Sequence, residues 1–175
     1  MDLLAPWDVL ARVSPGYPDR AALVFLVLLV PIWLYMSWYD MARLKIINGL
    51  VLLTFAIFLV LGPFVMPMGV YVGQLIQACV VLAIMLVLYA GGAMGGGDAK
   101  FIAAASPYFL REDLLLVSMI FCACGVAAFV THRLFRVIGA DRMAPLWSSW
   151  RAGKRFPLGF ALGGVVSLYL ALAAF

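Results

Sequence analysis

The sequence predicts an all-α fold: a polytopic membrane bundle of about six transmembrane helices. Of 175 residues, 67% are hydrophobic and 11% charged, and the mean hydropathy is +1.12. A soluble domain is about 45–50% apolar and about 25% charged. A water-soluble globule and a disordered chain are therefore excluded. The apolar residues also gather into runs that approach the roughly 20 residues a bilayer core takes, with glycine, proline or charge between them. A single integral-membrane domain over residues 1–175 is expected, with no independent soluble unit.

The elements follow in order. Residues 1–20 form a leading segment in which Asp2, Asp8 and Asp19 face Arg12 and Arg20. That is a poor basic region for a cleavable signal, and none is expected. The first span covers residues 21–39, with Pro31 as an expected kink. The second covers 46–61 and is expected to stop at Gly62-Pro63. The third covers 70–89 and ends in the glycine cluster from Gly91 to Gly97. A fourth segment, 98–107, is too short to cross alone, so it must borrow depth from its neighbours or tilt. The fifth span covers 114–130 and the sixth 158–175. Between them, residues 131–156 form a basic loop containing Trp147 and Trp150. Its simplest reading is an interfacial segment with indoles at headgroup depth. A surface that receives a peptide is the alternative.

Lys and Arg between spans fix the orientation. Arg43, Lys45, Lys100, Arg133, Arg136, Arg142, Arg151, Lys154 and Arg155 fall on one side, nine of the 12 basic residues, and Arg12, Arg20 and Arg111 on the other. Excess Lys and Arg marks the cytoplasmic side. Both termini are thus expected outside the cytoplasm.

Composition narrows the function. The net charge of +4 comes from scattered residues, not a dense basic face, so no nucleic acid partner is expected. Cys79, Cys122 and Cys124 lie in apolar runs without a C-x-x-C spacing and read as packing residues. His132 is the single histidine, so no multi-histidine metal or haem site can be built.

Two of the eight acidic residues stand apart. Asp2, Asp8, Asp19, Glu112, Asp113 and Asp141 read as solvated charges. Asp40 closes the first span, and Asp98 opens the fourth segment directly after three glycines. By the charge count both lie at the cytoplasmic edge of the bilayer, where ionisable groups are costly and a functional role is the default. Two carboxylates can hydrolyse a peptide bond. The ionised one takes a proton from water, and the neutral one donates to the scissile carbonyl and protonates the departing amine. Brought close, they share a proton near neutral pH and titrate as a unit. Gly95, Gly96 and Gly97 would leave the backbone before Asp98 free to take positive φ and let another chain approach. Each residue also has a plainer reading. Asp98 fits the N-cap of the following helix, and Asp40 fits an interfacial charge paired with Arg43 or Lys45. Intramembrane carboxylates also serve ion pathways. On physics alone, a protease and a small transporter or non-catalytic assembly component remain open.

Gly95-Gly96-Gly97-Asp98-Ala99-Lys100 resembles the G-x-G-D motif of membrane-embedded aspartic proteases, as found in type IV prepilin peptidases. The stretch from Asp40 to Asn48 resembles that family's first motif, with Ile47 where Pro is usual. Lys154-Arg155-Phe156-Pro157-Leu158-Gly159 is similar to its basic-Pro-Tyr-Gly segment, with Leu158 in place of Tyr. The resemblance implies a G-x-G-D aspartic protease-like bundle with Asp40 and Asp98 as catalytic aspartates. It makes Gly95 and Gly97 the motif glycines, and Lys100, Arg43 and Asn48 supporting residues. Few residues separate Asp40 from the second span, and none is cysteine, so the chain resembles the short TadV/CpaA-like form. Neither zinc nor S-adenosylmethionine is expected, so no cofactor and no methyltransferase activity. The resemblance further implies a bacterial inner-membrane endopeptidase that cleaves the cytoplasmic leader of Flp-type prepilins and pseudopilins. Its partners would be those substrates, the lipid bilayer and the pilus-assembly machinery.

Overall fold

The computed structural model describes residues 15–139, 142, 144–151 and 158–175. Asp2, Asp8, Arg12, Asp141 and the Lys154–Pro157 stretch of the third motif lie outside the described residues. Six α-helices appear among those described: α1 (Asp19–Arg43), α2 (Asn48–Val65), α3 (Met68–Ala90), α4 (Gly96–Ala105), α5 (Leu114–Val137) and α6 (Leu158–Ala174). Short 3-10 turns occupy Ser106–Tyr108 and Ser148–Arg151. The helices α1, α2, α3 and α5 are long and apolar enough to cross a membrane, and α6 is a shorter apolar helix. The protein is a polytopic all-α membrane protein.

The helix α1 packs most extensively on α6, α3 on α4, and α5 on α6, while α2 bridges α1 and α4. The centre is aromatic. Tyr108 meets Phe25, Phe58 and Trp33 edge to face at centroid distances of 5.0, 5.4 and 6.0 Å. Such geometry sets the positive ring edge against a negative ring face. The buried Tyr108 hydroxyl donates to the Thr54 carbonyl at 2.7 Å, so the cluster leaves no orphan there. By contrast α3 and α5 bury little of themselves and turn Leu, Val, Ile and Phe side chains outward, as a helix facing lipid does.

Two boundaries differ from the sequence reading. First, α2 does not stop at Gly62-Pro63 but runs through Pro63 to Val65. Proline removes the bond that residue 63 would give to the carbonyl four positions back. The Tyr71 hydroxyl on α3 donates to that carbonyl, Leu59, at 3.1 Å. Gly62 makes the approach feasible, because a Cβ there would lie 2.6 Å from the Tyr71 ring. A neighbouring helix thus restores the missing partner, as membrane helices require. Second, α5 continues past residue 130 to Val137, so Thr131, His132, Arg133 and Arg136 are helical rather than loop. Past residue 130 no glycine or proline interrupts it until Gly139, which takes φ +83°. In the basic segment beyond α5, Trp150 packs inward. It is buried, stacks on His132 at 4.7 Å and on Trp147 at 5.8 Å, and donates to the Ala144 carbonyl at 3.0 Å.

The short helix α4 borrows depth through side chains. Its last turn passes into the buried 3-10 turn, where the Phe109 N–H donates to Ser106 O at 3.2 Å and side-chain amides add donors to the carbonyls of that stretch, as an apolar medium requires. Gln77 Nε2 donates to Ser106 O at 2.8 Å and to Phe109 O at 2.9 Å, and Gln74 Nε2 donates to Phe109 O at 2.8 Å. At the same end of the bundle Asp113 is no free solvated charge. One carboxylate oxygen accepts from the Tyr169 hydroxyl at 2.6 Å and from the Gly16 N–H at 2.9 Å.

Candidate active site

The opposite end of the bundle holds Asp40 and Asp98. Asp40 lies in the last turn of α1 and is 5% exposed. The helix ends at once, because Leu44 takes the left-handed φ of 52° and its N–H bonds back to the Asp40 carbonyl at 2.7 Å. Three residues, Lys45-Ile46-Ile47, then lead into α2. This tight connection is a platform for α4. A Cβ at Gly97 would lie 3.2 Å from Ile46 Cβ, and one at Gly96 3.0 Å from the Tyr89 ring of α3. The missing side chains let the start of α4 settle between the α1–α2 connection and α3.

A cavity of about 760 Å³ results, and both aspartates line it. Lys45, Asn48, Gly92, Gly95, Gly97 and Leu158 line it as well. The glycines act by their size rather than by special torsions. Gly95 has φ −71° and Gly96 and Gly97 are helical; only Gly92 of the cluster takes positive φ, at +73°.

The plainer readings of the two aspartates do not hold. The N-cap of α4 is Gly95, not Asp98, and no side chain caps that end. Asp98 sits within the first turn, where a carboxylate suits the positive end of the helix dipole. Its Oδ2 lies 2.9 Å from the point a Gly95 Cβ would occupy. The helix α4 is too short to cross a membrane, and burial on it lifts the Asp98 carboxyl above the ordinary 3.8. Asp40 makes no ion pair with Arg43 or Lys45; its Oδ2 accepts from the Gly159 N–H at 2.8 Å instead. That N–H belongs to the first turn of α6, one of the donors a helix start leaves unpaired.

Of the residues singled out from sequence, the fold brings Asp40, Asp98, Asn48, Gly95 and Gly97 around one cavity. Arg43 is exposed and does not line it. Lys100 also lies off the cavity wall, and its Nζ donates to Asn48 Oδ1 at 3.4 Å, joining α4 to the start of α2. Two residues were missed. Gly159 meets Asp40 closely enough that a Cβ would lie 2.9 Å from Oδ2. Ser37, one turn before Asp40, donates from its buried hydroxyl to the Gly159 carbonyl at 3.3 Å. The Pro157-Leu158-Gly159 stretch was a usable signal for Gly159; for Ser37 only its helical spacing from Asp40 was. Among the described residues no group of three or more His, Cys, Asp or Glu side chains gathers as a metal site would need.

Two carboxylates in one pocket at the end of a membrane bundle suit hydrolysis of an extended chain. Residues 25–130 match the family model of the type IV leader peptidase family. The chain belongs to that family. Its matched segment contains Asp40, Asn48, Gly95, Gly97, Asp98 and Lys100, and stops before Gly159. No curated protein and no solved structure matches the chain. As a family member the chain is a membrane-embedded protease of leader-peptidase type.

Proposed function

We propose that Asp40 and Asp98 form the catalytic dyad of an aspartic endopeptidase that removes the leader of Flp-type prepilins and pseudopilins. The observation that carries this is the shared cavity: two acidic side chains from segments 58 positions apart line one pocket at the end of a membrane bundle. One carboxylate takes a proton from water as the water oxygen bonds to the scissile carbonyl carbon. The other, protonated, donates to the carbonyl oxygen and then passes its proton to the amide nitrogen as the C–N bond breaks. Water, a peptide and two carboxyls balance the reaction without metal or organic cofactor.

The charge distribution supports a cytoplasm-facing site in a bacterial inner membrane, with both termini on the outer side. A prepilin whose apolar helix lies in the bilayer would then present its leader junction at the depth of Asp40. Leu44–Ile47 is all that separates α1 from α2, which leaves no room there for a methyltransferase unit, so peptidase activity alone is expected. Pilus-assembly machinery would take up the cleaved product.

The test is co-expression with a Flp-type prepilin, following the size shift for wild type, Asp40→Asn and Asp98→Asn. A shift lost in both variants, with membrane insertion intact, is expected. Substantial cleavage by either variant overturns the dyad. No shift with inserted wild type across several prepilins overturns the substrate and returns weight to an ion-handling or assembly role.

A further inference from the structure

We propose that Ser37 is a positioning residue for Asp40, acting through the Gly159 peptide unit. This rests on the dyad reading above and adds a group that does not touch the cavity. Ser37 and Asp40 lie on one face of α1, three positions apart, where helical side chains are neighbours. They grip the same residue of α6 from both ends. The Ser37 hydroxyl donates to the Gly159 carbonyl at 3.3 Å, and the Gly159 N–H donates to Asp40 Oδ2 at 2.8 Å. Both contacts are buried.

Packing leaves little slack. A Cβ at Gly159 would lie 2.9 Å from Asp40 Oδ2, and one at Gly163, a turn later on α6, would lie 2.9 Å from Ser37 Oγ. The two glycines let α6 lie close enough to α1 for the clamp to close. A mid-helix serine ordinarily bonds back to its own helix; here the hydroxyl reaches across to α6. The clamp aims one N–H at one carboxylate oxygen, and a hydrogen bond of this kind favours the ionised acceptor.

Among the described residues the charged surroundings of Asp40 are few. Asp98 and Lys45 line the same cavity. Lys100 on α4 is held by Asn48, and Arg43 is exposed. The described start of α6 contributes only backbone and apolar side chains to this region. Among the described residues the Gly159 N–H is the one hydrogen-bond donor to the Asp40 carboxylate.

The test is Ser37→Ala in the full-length protein in detergent or bilayers, with Ser167→Ala as control. Ser167 also donates to a carbonyl of α6, Gly163 at 2.8 Å, but within its own helix. Net hydrogen-bond strengths set the scale: kcat should fall about threefold to tenfold in Ser37→Ala. KM should stay unchanged, because Ser37 does not line the cavity, and the pH–rate profile should move to higher pH. Isotope-edited infrared bands of the Asp40 carboxylate should shift in Ser37→Ala and not in Ser167→Ala. An unshifted carboxylate band overturns the proposal whether or not any prepilin is cleaved. A shifted band in an enzyme that cleaves no prepilin leaves the clamp standing and fails the substrate assignment. An equal effect from Ser167→Ala would reduce Ser37 to helix packing and also overturn it.

Discussion

Gly95→Ala separates catalysis from folding. The added Cβ would sit 2.9 Å from Asp98 Oδ2, where ordinary contact begins near 3.4 Å, so the carboxylate must move by about 0.5 Å. A 1 Å misplacement of a reacting group costs about a hundredfold in rate. Half of that displacement therefore predicts a kcat lower by about tenfold, and up to a hundredfold if the carboxylate swings to another rotamer. Stability should hardly change. Gly95 has φ −71° and ψ 143°, which alanine adopts without strain. Restricting the unfolded chain contributes about 0.4–1 kcal/mol. Losing glycine at an N-cap costs a similar amount, about 0.5–1 kcal/mol. The two terms offset, and Tm should move by no more than a few degrees. The assay pairs leader-cleavage rates of purified protein in micelles with thermal melting. Wild-type kcat in a correctly folded Gly95→Ala protein would refute the argument that Asp98 is held against Gly95 for chemistry.

Three further outcomes follow from the same geometry. Gly97→Val should lower cleavage more than tenfold by pushing α4 off Ile46, and Ile46→Ala should restore part of the loss; full activity of Gly97→Val would count against close packing. Gln74→Leu and Gln77→Leu should each cost little, about 0.6 kcal/mol, because the other amide still serves Phe109 O and the Phe109 N–H still serves Ser106 O. The double variant should lose about 1–3 kcal/mol beyond their sum, read by unfolding in detergent; strict additivity would contradict a shared acceptor. Burial raises the Asp98 carboxyl, so the native state keeps a proton that the unfolded chain releases above 3.8. Its contribution to stability is therefore present below that value and lost as pH rises through the native one. Asp98→Asn cannot ionise, and its melting temperature should gain on wild type as pH rises above 3.8; a gap that narrows with pH would reverse the sign of this reasoning.

The helices and the two aspartates were legible because both are local signals. Hydropathy located the long helices, four of which are long and apolar enough to cross a membrane, and Asp98 was conspicuous as a charge between glycines and an apolar segment. The errors came where a distant side chain overrode a local rule. Pro63 reads as a stop until Tyr71 is seen feeding the Leu59 carbonyl. Asp98 reads as an N-cap until Gly95 takes that place. The cluster Gly95 to Gly97 suggested unusual torsions, whereas Ile46, Tyr89 and the Asp98 carboxylate need the space. The Gly159 bond joins residues 119 positions apart, a distance over which no period or propensity speaks.

The bond from Gly159 to Asp40 also sets what counts as a complete unit. The family match spans residues 25–130 and includes both aspartates. The N–H that Asp40 accepts, and the carbonyl that Ser37 holds, come from a helix that starts at Leu158. A fragment trimmed to the matched segment would keep every motif residue from Asp40 to Lys100 and leave a buried carboxylate facing an empty slot. For cutting a minimal unit from this scaffold, the final helix belongs with the proposed dyad as fully as the G-x-G-D sequence does.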